Sequence, residues 1–493
     1  MARKGWNRLS ITIGIGGAAV ALLAATPTLA AARQAAKSGT KWTKISIDTG
    51  LGIASPGLFR TADGRLHVIW PSRYQTTFYA MHYSTVGGRA RLLATGIIER
   101  HWGAVDDYPR LLPAKHGGML LLMDGGNGIP SSPYNTGAMY VAASNAAGKS
   151  WKLQPGSIAA TGFVPLTDDA AATEPNGTPI AAWSEVSSLA FHVDIDPHSP
   201  ATTPDKHLGI GADGGLGNPT LITTKSGTVM AGWFNSTGSV KEGYWVAQIW
   251  PSIGPKLKAP NSGGHNQNNG QPLQPVALVA RQGGGNYLAY CVPTHSNVCS
   301  HIALWRVGSH RALRVPGSAS TSPQLVAMSN GRGGHLWIAW FDYQTNRIRV
   351  VRTNAAATGF GQVRTINAPA PLFNFESLSI EGSTGPLDLI ALEQLNHQNA
   401  SPAYFAAQID PALQIRASKS RVSSTRPTTI TFTVVDAGDA VGGAKVTFLG
   451  KTETTNSKGH AKFAVRRGTA SGKHLVVASK SGYASATFIV KVT

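Results

Sequence analysis

The chain has 493 residues, a formal net charge of +20 and 42% hydrophobic residues. That is too long for one ordinary core, so two or three domains, or one large repeat domain with an appendage, are expected. Beyond the N-terminus no stretch approaches the roughly 20 apolar residues that a bilayer-spanning helix needs, which excludes a helical membrane protein with several spans.

In chain order, the first segment places Arg3, Lys4 and Arg8 ahead of an apolar run from Ile11 to Ala25, with small residues from Thr28 to Ala32 behind it. This three-part layout is that of a secretory signal peptide over residues 1–32, with cleavage near Ala30 or Ala32. An uncleaved membrane anchor is the competing reading, and the richness of the run in Gly and Ala speaks against it. The mature protein is therefore expected to be secreted or held at the cell surface.

From residue 42 a pattern recurs: Pro, a short apolar strand, a Gly-containing turn, then a second strand closing on a large apolar residue. The second strands end at Trp70, Met123, Trp183, Trp233, Tyr290, Trp340 and Leu392, at intervals of about 50 to 60 residues. Each pair reads as an apolar hairpin buried on both faces. A third, often aromatic strand and a weaker fourth follow. Four strands per unit without helical periodicity predict an all-β fold of radial repetition: a seven-bladed, alternatively six-bladed, β-propeller over residues 33–412. A string of sandwich domains would need roughly 100 residues per unit. The segment "KWTKISIDTG" has no partner of its own and is expected to be the outer strand of the last blade.

Cys291 and Cys299, eight positions apart, predict one disulfide across a hairpin in an oxidising compartment. The alternative is a metal site that adds His295 and His301, at a spacing that fits no common zinc module. "GIGADG" at Gly209–Gly214 satisfies the dinucleotide pattern, but "GLGNP" follows where a helix should begin, so it reads as a loop. The Asp124, Asn127, Gly128 group lacks the ligand count of a recognised calcium loop, and "HVDIDPH" at His192–His198 offers metal ligands but reads as a surface strand and turn. No metal and no cofactor are expected.

Two turns point to a family. "SNAAGKSW" (Ser144–Trp151) resembles the Asp-box of bacterial sialidases and their relatives, Ser-x-Asp-x-Gly-x-Thr-Trp, with Ser144, Gly148, Ser150 and Trp151 in register and Ala146 in place of the aspartate. "RTNAAATGF" (Arg352–Phe360) is similar to a more eroded copy. The resemblance implies turns between third and fourth propeller strands, which concern architecture rather than chemistry. It also implies an arginine triad gripping the substrate carboxylate. The motif opening the first blade is missing: Ile53 and Ala54 stand ahead of Pro56, and Arg60 lies out of register. The tail over residues 413–493 ("VVDAGDAVGGAKVTF", "TNSKGHAKF", "ASKSGYASA") resembles the bacterial immunoglobulin-like domains of surface proteins, which implies a β-sandwich that spaces or attaches a head. Its 13 Lys and Arg face only Asp436, Asp439 and Glu453, a net +10 and half of the chain's charge. Outside a cell such a balance suits acidic glycans or anionic wall polymers better than nucleic acid; a merely solvating surface is the plain alternative.

Residues just after the second strands are expected to ring one mouth. Asp124, Glu185, Asp342 with Tyr343, and Glu393 are the candidate catalytic groups, since glycoside hydrolysis needs paired carboxylates, or a tyrosine nucleophile in sialidases. Arg73, Asp106, Asp107, Arg110 and Asn235 are candidate substrate-binding residues. The expected function is recognition of extracellular carbohydrate through this face, with the tail as attachment or spacer. A sialidase-like glycosidase and a protein-interaction scaffold or adhesin are the alternatives. No integral membrane segment is expected after signal cleavage.

Overall fold

The computed structural model describes residues 40–493 apart from 47–54, 74–78, 103–108, 115–117, 127–137, 156–158, 161–166, 175–176, 178, 185–187, 194–205, 210–215, 236–241, 264–273, 294–298, 320–322, 370–371 and 396–401. The signal peptide expected over residues 1–32 lies outside the described residues, as do Asp106, Asp107, Glu185 and His295.

Among the described residues, positions 43 to 409 form seven antiparallel sheets, six of four strands and one of five. Numbered along the chain, they occupy 57–102, 110–160, 167–209, 216–258, 277–314, 323–366 and 372–409. The seventh is completed by the N-terminal strand Thr43–Lys44, which pairs with Ala403–Ile409 through Thr43 opposite Ala406. Chain ends more than 300 residues apart are thereby joined in one sheet.

The first strand of each sheet stands on a common axis. These seven strands touch in a closed cycle, Gly57–Arg60 of sheet one meeting Leu372–Glu381 of sheet seven. Together they wall a cavity of ≈ 290 Å³ lined by Gly57, Arg110, Ala171, Thr220, Ala277, Ala327 and Leu378, at least one residue from every sheet. Backbones run so close at this axis that a Cβ on Gly57 would lie 2.7 Å from the Pro109 carbonyl oxygen. The arrangement is propeller-like.

Why the second strands are apolar on both faces follows from alternation, because successive side chains point to opposite sides of a strand. Trp70 packs back against Leu392 and Tyr404 of sheet seven, while Ile69 packs forward against Leu121 and Met123 of sheet two. Trp233 reaches back to sheet three and Phe234 forward to sheet five. Trp340 reaches back to sheet five and Phe341 forward to sheet seven. Every sheet is thus one side of two apolar seams, and Val229–Asn235 and Leu336–Asp342 are buried at every position. Each large side chain so buried contributes about 1.5–3 kcal/mol. On the rim of the ring's closure, Arg60 pairs with both Glu381 and Asp388 of sheet seven. Its place at the far end of the first strand explains why it cannot serve at the mouth.

The two motif-like turns have one geometry. In the first, Asn145 Oδ1 accepts the Lys149 and Ser150 amides at 3.0 and 3.5 Å, and Ser144 Oγ accepts the Met119 amide at 2.8 Å. In the second, Asn354 Oδ1 accepts the Thr358 and Gly359 amides at 2.8 and 3.2 Å, and Thr353 Oγ1 accepts the Leu336 amide at 2.9 Å. Gly148 and Ala357 hold the same left-handed position, φ 63° and 54°. The asparagine one residue before the absent aspartate closes the turn in both.

Residues from 414 onward form two further sheets. One holds Gln414–Ala417, Thr428–Asp436, Asp439–Ala440 and His460–Val465; the other holds Arg421–Val422, Ala486–Val492, Gly472–Ser479, Lys445–Phe448 and Lys451–Thr454. They enclose one core in which Phe432, Phe448 and Phe463 meet edge to face with centroids 5.3 to 5.8 Å apart. The sandwich is fastened to sheet six. Arg352, buried and lying over Trp337, pairs with Asp436. Asp439 accepts the Ala355 amide at 2.6 Å and stands 3.7 Å from His335 Nε2.

Cys291 and Cys299 form a disulfide between neighbouring strands of sheet five. Among the described residues no group of His, Cys, Asp and Glu could hold a metal ion, and no helix is long and apolar enough to cross a membrane.

Candidate functional site

The axial cavity is the feature that every sheet helps to build. Arg110, expected in a loop entering the second unit, instead opens the first strand Arg110–Pro113 and is the charged side chain among the described lining residues. Gln274, which sequence reasoning missed, spans the axis: its Nε2 donates to the Val326 carbonyl and its Oε1 accepts the Leu378 amide, each at 3.0 Å. Sheets six and seven are tied through this one carboxamide. Ser55 also lines the cavity, and its buried Oγ has no hydrogen-bond partner. The cavity therefore offers a cation, amide and hydroxyl groups among aliphatic walls.

The residues following the second strands do not share one environment. Asp342 is fully buried: Arg349 donates to its Oδ2 from Nε and Nη2 at 2.9 Å each, and the Thr345 amide donates to Oδ1 at 3.1 Å. It closes the turn after Leu336–Asp342 and holds the third strand. Tyr343, the next residue, is 57% exposed and rests edge-on against Phe341.

Glu393 is also fully buried, and neither carboxylate oxygen has a hydrogen-bond partner. Desolvation pushes its carboxyl up to about 9, so it is neutral at pH 7. The reason is a one-residue difference in facing. In sheets one, four and six the closing Trp turns back to the preceding sheet, whereas in sheet seven Leu392 turns forward to Trp70 of sheet one. Leu389, Ala391 and hence Glu393 face back into the seam with sheet six, beside Phe375 and Phe341. Asp342, on the Trp340 face of its strand, turns back to sheet five. The expectation that these two acids converge on one mouth is thus corrected: alternation sends them into different seams.

Asn235 is buried, on the Trp233 face, with Oδ1 lacking a hydrogen-bond partner. Arg73 ends its second strand and Asp124 stands one residue before the end of its own, in register with Tyr79 and Met139. Their side chains lie outside the described residues, as do Glu185, Asp106, Asp107 and the Ile53, Ala54 pair. Two further buried acids escaped the sequence reading, Asp388 beside Arg60 and Glu242. Glu242, ahead of the strand Gly243–Trp250, is fully buried and interacts electrostatically with Lys258, whose ammonium is pulled below its ordinary range by burial. The signal that could have found it was its place within "VKEGYW", beside two aromatic residues.

No protein-family model matches the sequence, and no curated protein does. Solved structures similar to the chain include a protein of unknown function from Dyadobacter fermentans, 10% identical over 75% of this chain and 97% of that one, with a TM-score of 0.45. The polysaccharide lyase Uly1 is 12% identical over 76% and 94%, with a TM-score of 0.46. The α-L-arabinofuranosidase Arb93A from Fusarium graminearum is 14% identical over 75% and 96%, with a TM-score of 0.41.

Proposed function

We propose that the chain is a secreted carbohydrate-binding protein, a seven-bladed propeller that recognises sugar at its axial mouth and carries an immunoglobulin-like module for attachment. One observation favours binding over hydrolysis. The two acids of the expected catalytic set whose side chains are described, Asp342 and Glu393, are both fully buried, one engaged by Arg349 and one neutral in an apolar seam. The paired-carboxylate route to glycosidic cleavage needs two carboxyl groups facing one sugar. Binding needs hydrogen-bond donors and an aromatic face, and Arg110, Gln274 and the exposed Tyr343 supply that mixture.

A glycan array followed by calorimetric titration of the full chain tests the reading. The expected result is saturable binding of a glycan, weakened roughly tenfold by Arg110→Met or Tyr343→Ala, with no release of reducing sugar from a polysaccharide panel. Turnover that disappears in Asp124→Asn or Glu185→Gln would overturn it in favour of a hydrolase.

A further inference from the structure

The C-terminal sandwich divides its charge between two surfaces. Of the three acids in residues 413–493, Asp436 and Asp439 are engaged against sheet six of the ring. Glu453, the third, is in register with inward-facing Val446. The outer face of the five-stranded sheet is left without an Asp or Glu side chain. Along it Val422, Val446, Val476, Val490 and Val492 point into the core, and alternation turns their neighbours to solvent.

Register then aligns the cations. Arg421 is opposite Lys491, and Lys491 is opposite Lys473, so three exposed positive groups stand side by side on adjacent strands. Strand spacing sets them roughly 4.7–4.9 Å apart per step. The next outward row is Leu475 opposite Ile489, 53% and 45% exposed. Lys445 stands further along the same face, beyond Val477 and Thr447. None of the three aligned cations makes an ion pair. Like charges directly across strands lower the stability of a sheet, so folding does not account for the cation row.

We infer that this face is a docking surface for an acidic polysaccharide, a linear glycan bearing carboxylate or sulfate groups. The inference deepens the attachment role proposed above and is separate from the axial mouth. An exposed sheet face accepts an extended polymer, the cation row matches its closely repeated charges, and Leu475 with Ile489 offers an aliphatic strip to the C–H faces of sugar rings. Two aliphatic side chains on a flat sheet are too small an apolar face to enter a bilayer. A second copy of the chain would bring its own cation row against this one.

The test is binding of the full chain to immobilised polygalacturonate (carboxylate) and dextran sulfate (sulfate), with neutral dextran as control, over rising NaCl. The expected result is capture by at least one polyanion and not by neutral dextran, weakening as salt screens the charges. The triple variant Arg421→Ser, Lys473→Ser, Lys491→Ser should bind roughly tenfold more weakly, with melting unchanged or raised and with glycan binding at the mouth intact. Leu475→Thr with Ile489→Thr should weaken binding without changing its salt dependence. Equal capture of parent and triple variant overturns the inference, as does capture by anionic lipid vesicles or duplex DNA with none by either polyanion.

Discussion

Glu393 shows how one side chain can oppose the seam it sits in. A carboxyl without a hydrogen bond between Phe341, Phe375 and Ala391 is held neutral, its value pushed up to about 9 from an ordinary 4.5. Because the folded-state value is the higher one, its contribution to stability is fully present below about pH 4.5 and is lost as pH rises through 9. Replacing it by Met removes the desolvated group at similar volume. Glu393→Met should therefore flatten the fall of stability across this range and gain roughly 1–3 kcal/mol near pH 8, read from urea unfolding at a series of pH values. An unchanged pH profile would show that the carboxyl is not buried as described. Asp342 is the opposite case, an acid whose loss would disturb the fold through Arg349, so reduced binding in an Asp342 variant would not identify it as a site residue.

Among the elements, the turns at Ser144–Trp151 and Thr353–Phe360 reach one conformation from different sequences. What they share is an asparagine carboxamide that accepts two amides, a hydroxyl that caps the neighbouring second strand, and a left-handed fifth residue. Asn145→Ala or Asn354→Ala should each cost about 1 kcal/mol, and Asn→Asp at the same position should retain most of it, measured as the shift of the denaturation midpoint. Gly148→Ala should cost more. Its Cβ would come within 2.6 Å of the buried His67 ring and Met119, on a backbone that disfavours a side chain. A hairpin turn at the outer edge of a sheet thus couples to the core of the ring.

For the whole molecule, the sandwich is seated on sheet six through Asp436 and Asp439, and two of its three acids are committed there. Breaking a buried pair by removing one partner leaves the other charge stranded, at about 3–5 kcal/mol. Asp436→Ala combined with Asp439→Ala should split a single calorimetric transition into two, the sandwich and the ring unfolding separately. A single transition at the parent temperature would mean that the docking does not depend on these acids. These contacts fix how the cationic sheet is seated against sheet six.

The amino-acid order alone determined the hairpins, because apolar alternation and glycine turns are local signals that each recur within a few residues. It likewise determined the closing role of Thr43–Lys44 and the cationic surplus of the last 81 residues. Tertiary structure alone decided which acids meet solvent. Asp342 finds Arg349 across a turn, Glu393 faces backward because its strand is set one residue off the others, and Arg110 and Gln274, 164 residues apart, line one cavity. Side-chain facing inverts with every single-residue step, and the partners that fix the step are supplied by strands far away in the chain.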